Sequence, residues 1–280
     1  SVKSLTFLGD MFDGVQCPCI LLQLIATGKP LSTAGMMIED RTRTYTIAME
    51  RTVVPENFSF RMTDEEYRVL EKIKNSIPVC YLADHADFAL GIVTGNNKKF
   101  LSAEKTENSE MVLKGTDICK YHINPVKQYL RFEPEQFQQV APLEIYRAPE
   151  KLLYRFISNQ LVVAYDDRQM LSLNSCNIVI PKIEGMQIKY ILAILNSSVS
   201  QFVYQKEFHS IKVLRAHMEH IPIPRVGKAI QNEIIAMTEP LICGMGKEAA
   251  ETCQKRLDCR IMDLFRLSAE EQWIIRHALH

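Results

Sequence analysis

Residues 148–181 read APEKLLYRFISNQLVVAYDDRQMLSLNSCNIVIP, and their reading decides the fold. Two runs rich in strand-forming residues, 152–157 and 161–165, flank the polar turn Ser158-Asn159-Gln160, which is the pattern of a β-hairpin. Asp166-Asp167-Arg168-Gln169 is a polar break, and 174–180 is a third strand. The apolar positions supply a buried face. Arg155, Asp166, Asp167, Arg168, Asn174, Ser175 and Asn177 are expected on the edges and turns, where their donors and acceptors form a recognition rim. On composition alone, an ordinary antiparallel core with solvated turns is the favoured reading.

Working outward, 89–93 is a strand that leads into the polar loop Thr94-Gly95-Asn96-Asn97-Lys98-Lys99. Glycine and asparagine tolerate positive φ there and can turn backbone N–H groups toward an anion. Asn96 and Asn97 have the chemistry to read adenine, and Lys98 and Lys99 to meet phosphate; a plain hairpin turn is the alternative. In Leu113-Lys114-Gly115-Thr116-Asp117, the Thr or Asp suits a cap, while Lys114 and the later Lys120 suit phosphate. Residues 128–132 are a strand and 133–148 a connector with two prolines.

Residues 1 to about 61 are strand-like, with an apolar run at 20–26, a turn at Thr27-Gly28-Lys29-Pro30, and strands at 42–49 and around Phe58-Ser59-Phe60. Thr63-Asp64-Glu65-Glu66 is a capping box opening a helix that Pro78 ends. Downstream, Ile188, Ile191, Leu192 and Leu195 share one helical face. Residues 205–215 form a polar loop carrying Lys212 and Arg215. Ile221-Pro222-Ile223-Pro224 is an extended exit, since proline at alternate positions suits an edge. From Lys228 the pattern is helical, with Gly244 and Gly246 as a break and Ser268-Ala269-Glu270-Glu271 as a second capping box before a last helix that contains Trp273.

The bulk properties bound the function. The chain has 280 residues, 47% of them hydrophobic, enough for a real core. Lys+Arg and Asp+Glu are both 33, so no global basic field draws nucleic acid, and any footprint must be local. Eight scattered cysteines without a C-x-x-C pair fit reduced thiols in a cytoplasmic protein, and no apolar run is long enough to span a membrane. P-loop, G-x-S-x-G and H-E-x-x-H motifs are absent. His217 and His220 are one turn apart, but Met218 and Ile221 beside them point to packing, so no metal site and no catalytic residue is assigned.

Several of these stretches together resemble a known family. They are Glu150-Lys151-Leu152-Leu153-Tyr154-Arg155-Phe156-Ile157-Ser158, Tyr165-Asp166 and Leu173-Asn174-Ser175, then Tyr190-Ile191-Leu192-Ala193-Ile194-Leu195-Asn196-Ser197 and Ile221-Pro222-Ile223-Pro224. In this order they resemble the TaqI-like C-terminal specificity domain, the target-recognition domain of type IIG and type I restriction–modification adenine-specific DNA methyltransferases. The loop at 91–97 and the run 113–121 resemble two further elements of it. Val15-Gln16-Cys17-Pro18 resembles the segment that closes the methyltransferase domain, and 257–271 resembles the end segment of type I specificity subunits.

The resemblance implies an α+β fold: a mixed or antiparallel β-sheet recognition domain with packed helices, followed by a C-terminal helical spacer. The expected organisation is a methyltransferase tail and linker helix at 1–77, the target-recognition domain at 78–225, and the spacer at 226–280. The implied function is sequence-specific recognition of double-stranded DNA. The expected DNA-binding residues are Thr94, Asn96, Asn97, Lys98, Lys99, Lys114, Arg168, Asn174, Lys212 and Arg215. The expected partners are DNA, the parent methyltransferase domain and a partner subunit docked through the last helices. No cofactor is expected in this stretch, because S-adenosylmethionine belongs to a catalytic domain. The glycine-rich cofactor loop and the Asn/Asp-Pro-Pro-Tyr/Phe motif of that domain are both missing, and Asn124-Pro125 is followed by Val126. A protein-interaction module docking its C-terminal helices is the reading from another class.

Overall fold

The computed structural model describes residues 2–15, 17–26, 28, 32–51, 60–208 and 210–279. The expected turn at 27–30 and the strand at 58–60 lie almost wholly outside these residues. The chain divides into two compact units, residues 1–71 with 206–208, and residues 72–205 with 209–280. Among the described residues no helix is long and apolar enough to cross a membrane.

In the first unit, β1 (Val2–Asp10) pairs antiparallel with β2 (Pro18–Leu24) and parallel with β3 (Met37–Glu39), which pairs with β4 (Thr44–Thr46). Leu5, Met36, Ile38, Ile47 and Phe60 form its core. β2 is an edge strand and buries almost nothing: Leu21 is 60% and Leu24 65% exposed. Helix α1 (Asp64–Asn75) opens on the capping box, with the Thr63 N–H donating to Glu66 (2.8 Å) and the Glu66 N–H to the Thr63 hydroxyl (3.3 Å).

Glu66 also accepts from Lys206 (2.8 Å) and Arg43 (3.1 Å). Burial alone would raise its carboxyl, but the Lys206 hydrogen bond and charge, joined by Arg43, hold it below the ordinary 4.5. A carboxylate depressed on folding adds stability above its unfolded value and loses it as pH falls through the folded one. Glu66→Gln is therefore expected to flatten the fall of urea midpoint below about pH 4.5. An unchanged acid limb would remove Glu66 from the cause.

The second unit holds two four-stranded sheets and a short two-stranded one that closes it, β5 (Val79–Cys80) against β14 (Ile223–Pro224). One large sheet is antiparallel throughout and comprises β6 (Ala86–Ala89), β10 (Lys151–Arg155), β11 (Val163–Asp166) and β13 (Cys176–Pro181), in the order β11-β10-β13-β6. The other is mixed. It comprises β7 (Leu101–Ser102), β8 (Ser109–Leu113), β9 (Tyr129–Arg131) and β12 (Leu171–Ser172), in the order β12-β8-β9-β7, with β12 parallel to β8. Val112, Leu130, Leu153, Ala164, Leu171 and Ile178 from both sheets share one core. The predicted hairpin is β10–β11, with Leu153 opposite Ala164.

Helix α4 (Ile188–Asn196) is the buried helix that the spacing at 188–195 predicts, with residues 190–196 buried all round. It is enclosed between the antiparallel sheet and α7 (Lys228–Ile242), so every face meets protein. Its last residue, Asn196, gives Val163 both an acceptor (3.0 Å) and a donor (2.8 Å), continuing the ladder where β11 has no neighbouring strand. The chain then forms α5 (Ser198–Glu207), α6 (Arg215–Glu219), α7, α8 (Lys247–Leu264) and α9 (Ala269–Ala278), the last capped by Ser268 and Glu271 as predicted. Trp273 of α9 is exposed and stacks on His277, while Ile275 is the buried residue.

Some of the expected polar rim is interior. Lys151 and Asp166 form a fully buried ion pair (2.5 Å), and Lys151 also donates to the Tyr146 carbonyl (2.7 Å). Asp166 accepts the Arg168 and Met170 N–H groups, both at 2.9 Å, so the 166–170 turn is tied to the pair. Asn177 is buried and accepts from Gly91 (3.2 Å). Arg155 reaches back to the Gly115 (2.8 Å) and Ile118 (2.6 Å) carbonyls. These side chains lie where strands meet loops, and backbone carbonyls and N–H groups there take their donors and acceptors before solvent can.

Candidate nucleic-acid interface

The turn between β12 and β13 joins several predicted residues. The Leu173 N–H donates to the Leu113 carbonyl (2.8 Å), and the Asn174 N–H to that of Ile92 (3.1 Å). Ser175 uses both its groups: its hydroxyl accepts the Gly115 N–H (3.0 Å) and its carbonyl that of Phe156 (3.0 Å). The Phe156 carbonyl accepts from Val213 (2.8 Å), and Ile157 bridges Lys212. Main-chain bonds thus hold Lys114, Asn174 and Lys212 around one turn. The Asn174 and Lys212 side chains are exposed, and that of Lys114 is half-buried.

Two glycines allow this close approach. A methyl at Gly91 would overlap the Leu173 carbonyl, and one at Gly115 that of Ser175. Neither obstacle is a flexible side chain. Gly115→Ala is expected to cost about 1–3 kcal/mol in chemical denaturation, because the backbone must move to admit the methyl. An unchanged midpoint would show the turn to be free to shift.

The 94–99 loop is not a hairpin turn. Asn96 caps a short helix, α2 (Asn97–Phe100), by accepting the Lys99 N–H (3.2 Å). Buried Thr94 donates to the Asn97 carboxamide (2.6 Å). The Asn96 and Asn97 oxygens are therefore engaged locally, which is the ordinary use of Asn at a helix start. Lys99 donates to Gln136 (2.7 Å) and lies over the Phe100 ring, whereas Lys98 projects into solvent. This loop adjoins the turn through Ile92, whose N–H donates to Ser172 (2.7 Å).

Arg168 and Arg215 lie apart from that turn. Arg168 precedes β12, near its start, where Arg147 joins the Gln169 carbonyl (2.8 Å) to Glu110 (2.7 Å); Asn174 follows the other end of β12. Arg215 is exposed, paired with Glu219 (2.7 Å) and set over the Phe88 ring, itself edge-on to Tyr154. Lys120 is also no surface cation. It donates to the Asn196 carbonyl (3.0 Å), and burial lowers its pKa despite nearby Asp258.

Among the described residues no three His, Cys, Asp or Glu side chains converge as a metal site. His217 accepts the Leu214 N–H (3.2 Å) and packs edge-on against Tyr204, and His220 contacts the Ala216 carbonyl (2.6 Å), so both rings are engaged within the protein. Burial pushes the Cys176 thiol well up, and Cys176 packs in the core. What this surface offers is exposed cations and amides on strand-end loops, the chemistry of phosphate and base-edge contacts.

Sequence reasoning named Lys114, Asn174 and Lys212 as separate candidates but not the turn that links their segments. Ser175 and Gly115 are the supports that it missed as such. The signal was present in the small residue at each stretch, but nothing in one dimension shows that they touch.

Residues 110–223 match the model of the TaqI-like C-terminal specificity domain. No curated protein matches the chain. Among solved structures, the type IIL restriction–modification enzyme MmeI in complex with DNA is similar over 99% of this chain and 45% of its own, at 9% identity and a TM-score of 0.58. A type I restriction–modification complex matches at 14% identity over 78% of this chain and 52% of its own, with a TM-score of 0.42. The HsdS subunit from Thermoanaerobacter tengcongensis matches at 15% identity over 77% and 50%, with a TM-score of 0.40. The chain thus spans about half the length of these proteins. The MmeI likeness supports the fold, and the matched segment contains β10–β13 and the turn that gathers Lys114, Asn174 and Lys212. Residues 110–223 are thus similar to the TaqI-like C-terminal specificity domain, and the MmeI likeness extends the shared fold over the rest of the chain.

Proposed function

We propose that this chain selects the duplex site at which a parent adenine-specific methyltransferase acts, with the turn at 173–176 facing the DNA. The observation that carries this is the position of that turn. It lies inside the matched specificity segment, carries the exposed amide of Asn174, and is bonded directly or through Phe156 to the segments that bear Lys114 and Lys212. Lys98 extends the phosphate footprint from the adjoining loop, and Lys99 does so once released from Gln136. Base reading falls to Asn174. The Nδ2 donors of Asn96 and Asn97 assist it, because their oxygens are engaged within the loop. Arg168 and Arg215 serve, in this reading, as outlying phosphate contacts.

The methylating chemistry belongs to another part of the parent. This chain has neither the glycine-rich loop nor the Asn/Asp-Pro-Pro-Tyr/Phe motif, so S-adenosylmethionine would bind outside it. The apolar, exposed edge strand β2 is the surface we assign to the methyltransferase domain, since an uncovered strand of this kind is an aggregation hazard.

The test is fluorescence anisotropy of the purified chain against a randomised duplex pool, followed by selection and a salt titration. Binding with a steep salt slope and an enriched sequence is expected. A slope near zero with no enriched sequence would overturn the proposal.

A further inference from the structure

A lone exposed isoleucine is ordinary on a protein surface, and its place in the fold decides whether it means anything. Ile157 is 54% exposed and sits amid the polar residues of the candidate interface. The residue before it, Phe156, donates its N–H to the Ser175 carbonyl (3.0 Å), in the turn of Asn174. The residue after it, Ser158, donates its N–H to the Ile211 carbonyl (2.9 Å). Ile157 thus stands between the turn that carries the exposed amide and the segment that carries exposed Lys212.

The ladder also fixes what lies beside it. Ile157 and Lys212 are antiparallel partners. The flanking bonds, Val213 to Phe156 (2.8 Å) and Ser158 to Ile211, leave these two as a pair without main-chain bonds to each other. Side chains of such a pair are the closer kind and leave the same face. Ile211 is 56% exposed, but successive side chains of an extended segment alternate, so it stands outside this pair.

An apolar branched side chain beside a phosphate-binding lysine has one clear use in a DNA groove. Thymine alone of the four bases presents a methyl group, at C5 in the major groove, and an apolar side chain recognises it by contact. An amide or an ammonium cannot. Resting on the reading of 173–176 as the DNA face, we propose that Ile157 determines specificity by covering a thymine C5-methyl while Lys212 holds a nearby phosphate.

The test uses the duplex that the wild-type chain enriches from the randomised pool, with each thymine replaced in turn by deoxyuridine, which lacks only the methyl. At one position the exchange is expected to weaken binding about 4-fold, the effect of losing one buried methyl group. Ile157→Ala is expected to bind the thymine and deoxyuridine duplexes equally, and Ile211→Ala to keep the preference. Circular dichroism verifies that both variants fold, and the wild-type comparison needs neither. Sequence-selective binding that ignores every deoxyuridine exchange would overturn this proposal and leave the DNA reading standing. An Ile157→Ala variant that still prefers thymine would do the same. A chain that binds no duplex, or enriches no sequence, would overturn both.

Discussion

Asp166→Ala is expected to lower the stability of the second unit by about 3–5 kcal/mol, the effect of removing one partner from a buried ion pair. The variant leaves the Lys151 ammonium with only the Tyr146 carbonyl, and frees the Arg168 and Met170 N–H groups that the carboxylate accepts. Burial already lowers the Lys151 pKa, with Asp166 opposing the fall. Without Asp166 the lysine is expected to become neutral more easily. Urea melts of Asp166→Ala should therefore recover in part as pH rises, because the unfolded chain then holds the extra proton. Replacing both residues, Lys151→Met with Asp166→Leu, is expected to cost less than Asp166→Ala alone, since no charge is stranded. A loss under about 1 kcal/mol for Asp166→Ala would mean that water reaches the pair.

Lys114→Ala/Lys212→Ala is expected to weaken binding to every duplex by at least 10-fold at moderate salt. The slope of log affinity against log salt should fall by roughly 2, since each phosphate that a lysine neutralises adds about 0.9 to it. Asn174→Ala should behave differently. It is expected to cost about 1–3 kcal/mol on the preferred sequence and almost nothing on others, because a base-edge contact discriminates while a phosphate contact does not. Asn174 is on the turn and the segments bearing Lys114 and Lys212 are bonded to it directly or through Phe156, so the comparison holds the scaffold constant. Anisotropy at several salt concentrations measures both effects. A uniform loss for Asn174→Ala would reassign it to the backbone, and an unchanged slope for the double variant would remove both lysines from the interface.

Much of the fold was legible because it is local. Apolar, strand-forming runs at 152–157 and 161–165 joined by a short polar turn form a hairpin wherever they find a core to enter, and β10–β11 did so. The Thr63 and Ser268 boxes are contained in four residues each, and both form as read. The loop at 94–99 was misjudged for a similar local reason. Asn96 is as good a helix cap as a turn former, and the cap prevailed once Phe100 had a core to enter. Charge was the poorest guide. Lys120 and Lys151 carry the same signature in the sequence as Lys98 or Lys212, yet the first two are engaged within the protein and the last two solvated.

By itself, then, the chain of residues determined the strands, the capped helices and the family model that 110–223 matches. These depend on periodicity and short motifs, whose energetics reach no farther than a few residues. Only the tertiary structure decided that the segments bearing Lys114 and Lys212 bond, directly or through Phe156, to the turn of Asn174 and that Arg168 lies at the other end of β12. The physical reason is that β12 pairs with β8 across more than fifty residues of chain, and Ser175 bonds Gly115 across 60. Which cations face solvent follows from those long-range pairings, since they settle where each ammonium has a carboxylate or carbonyl within reach.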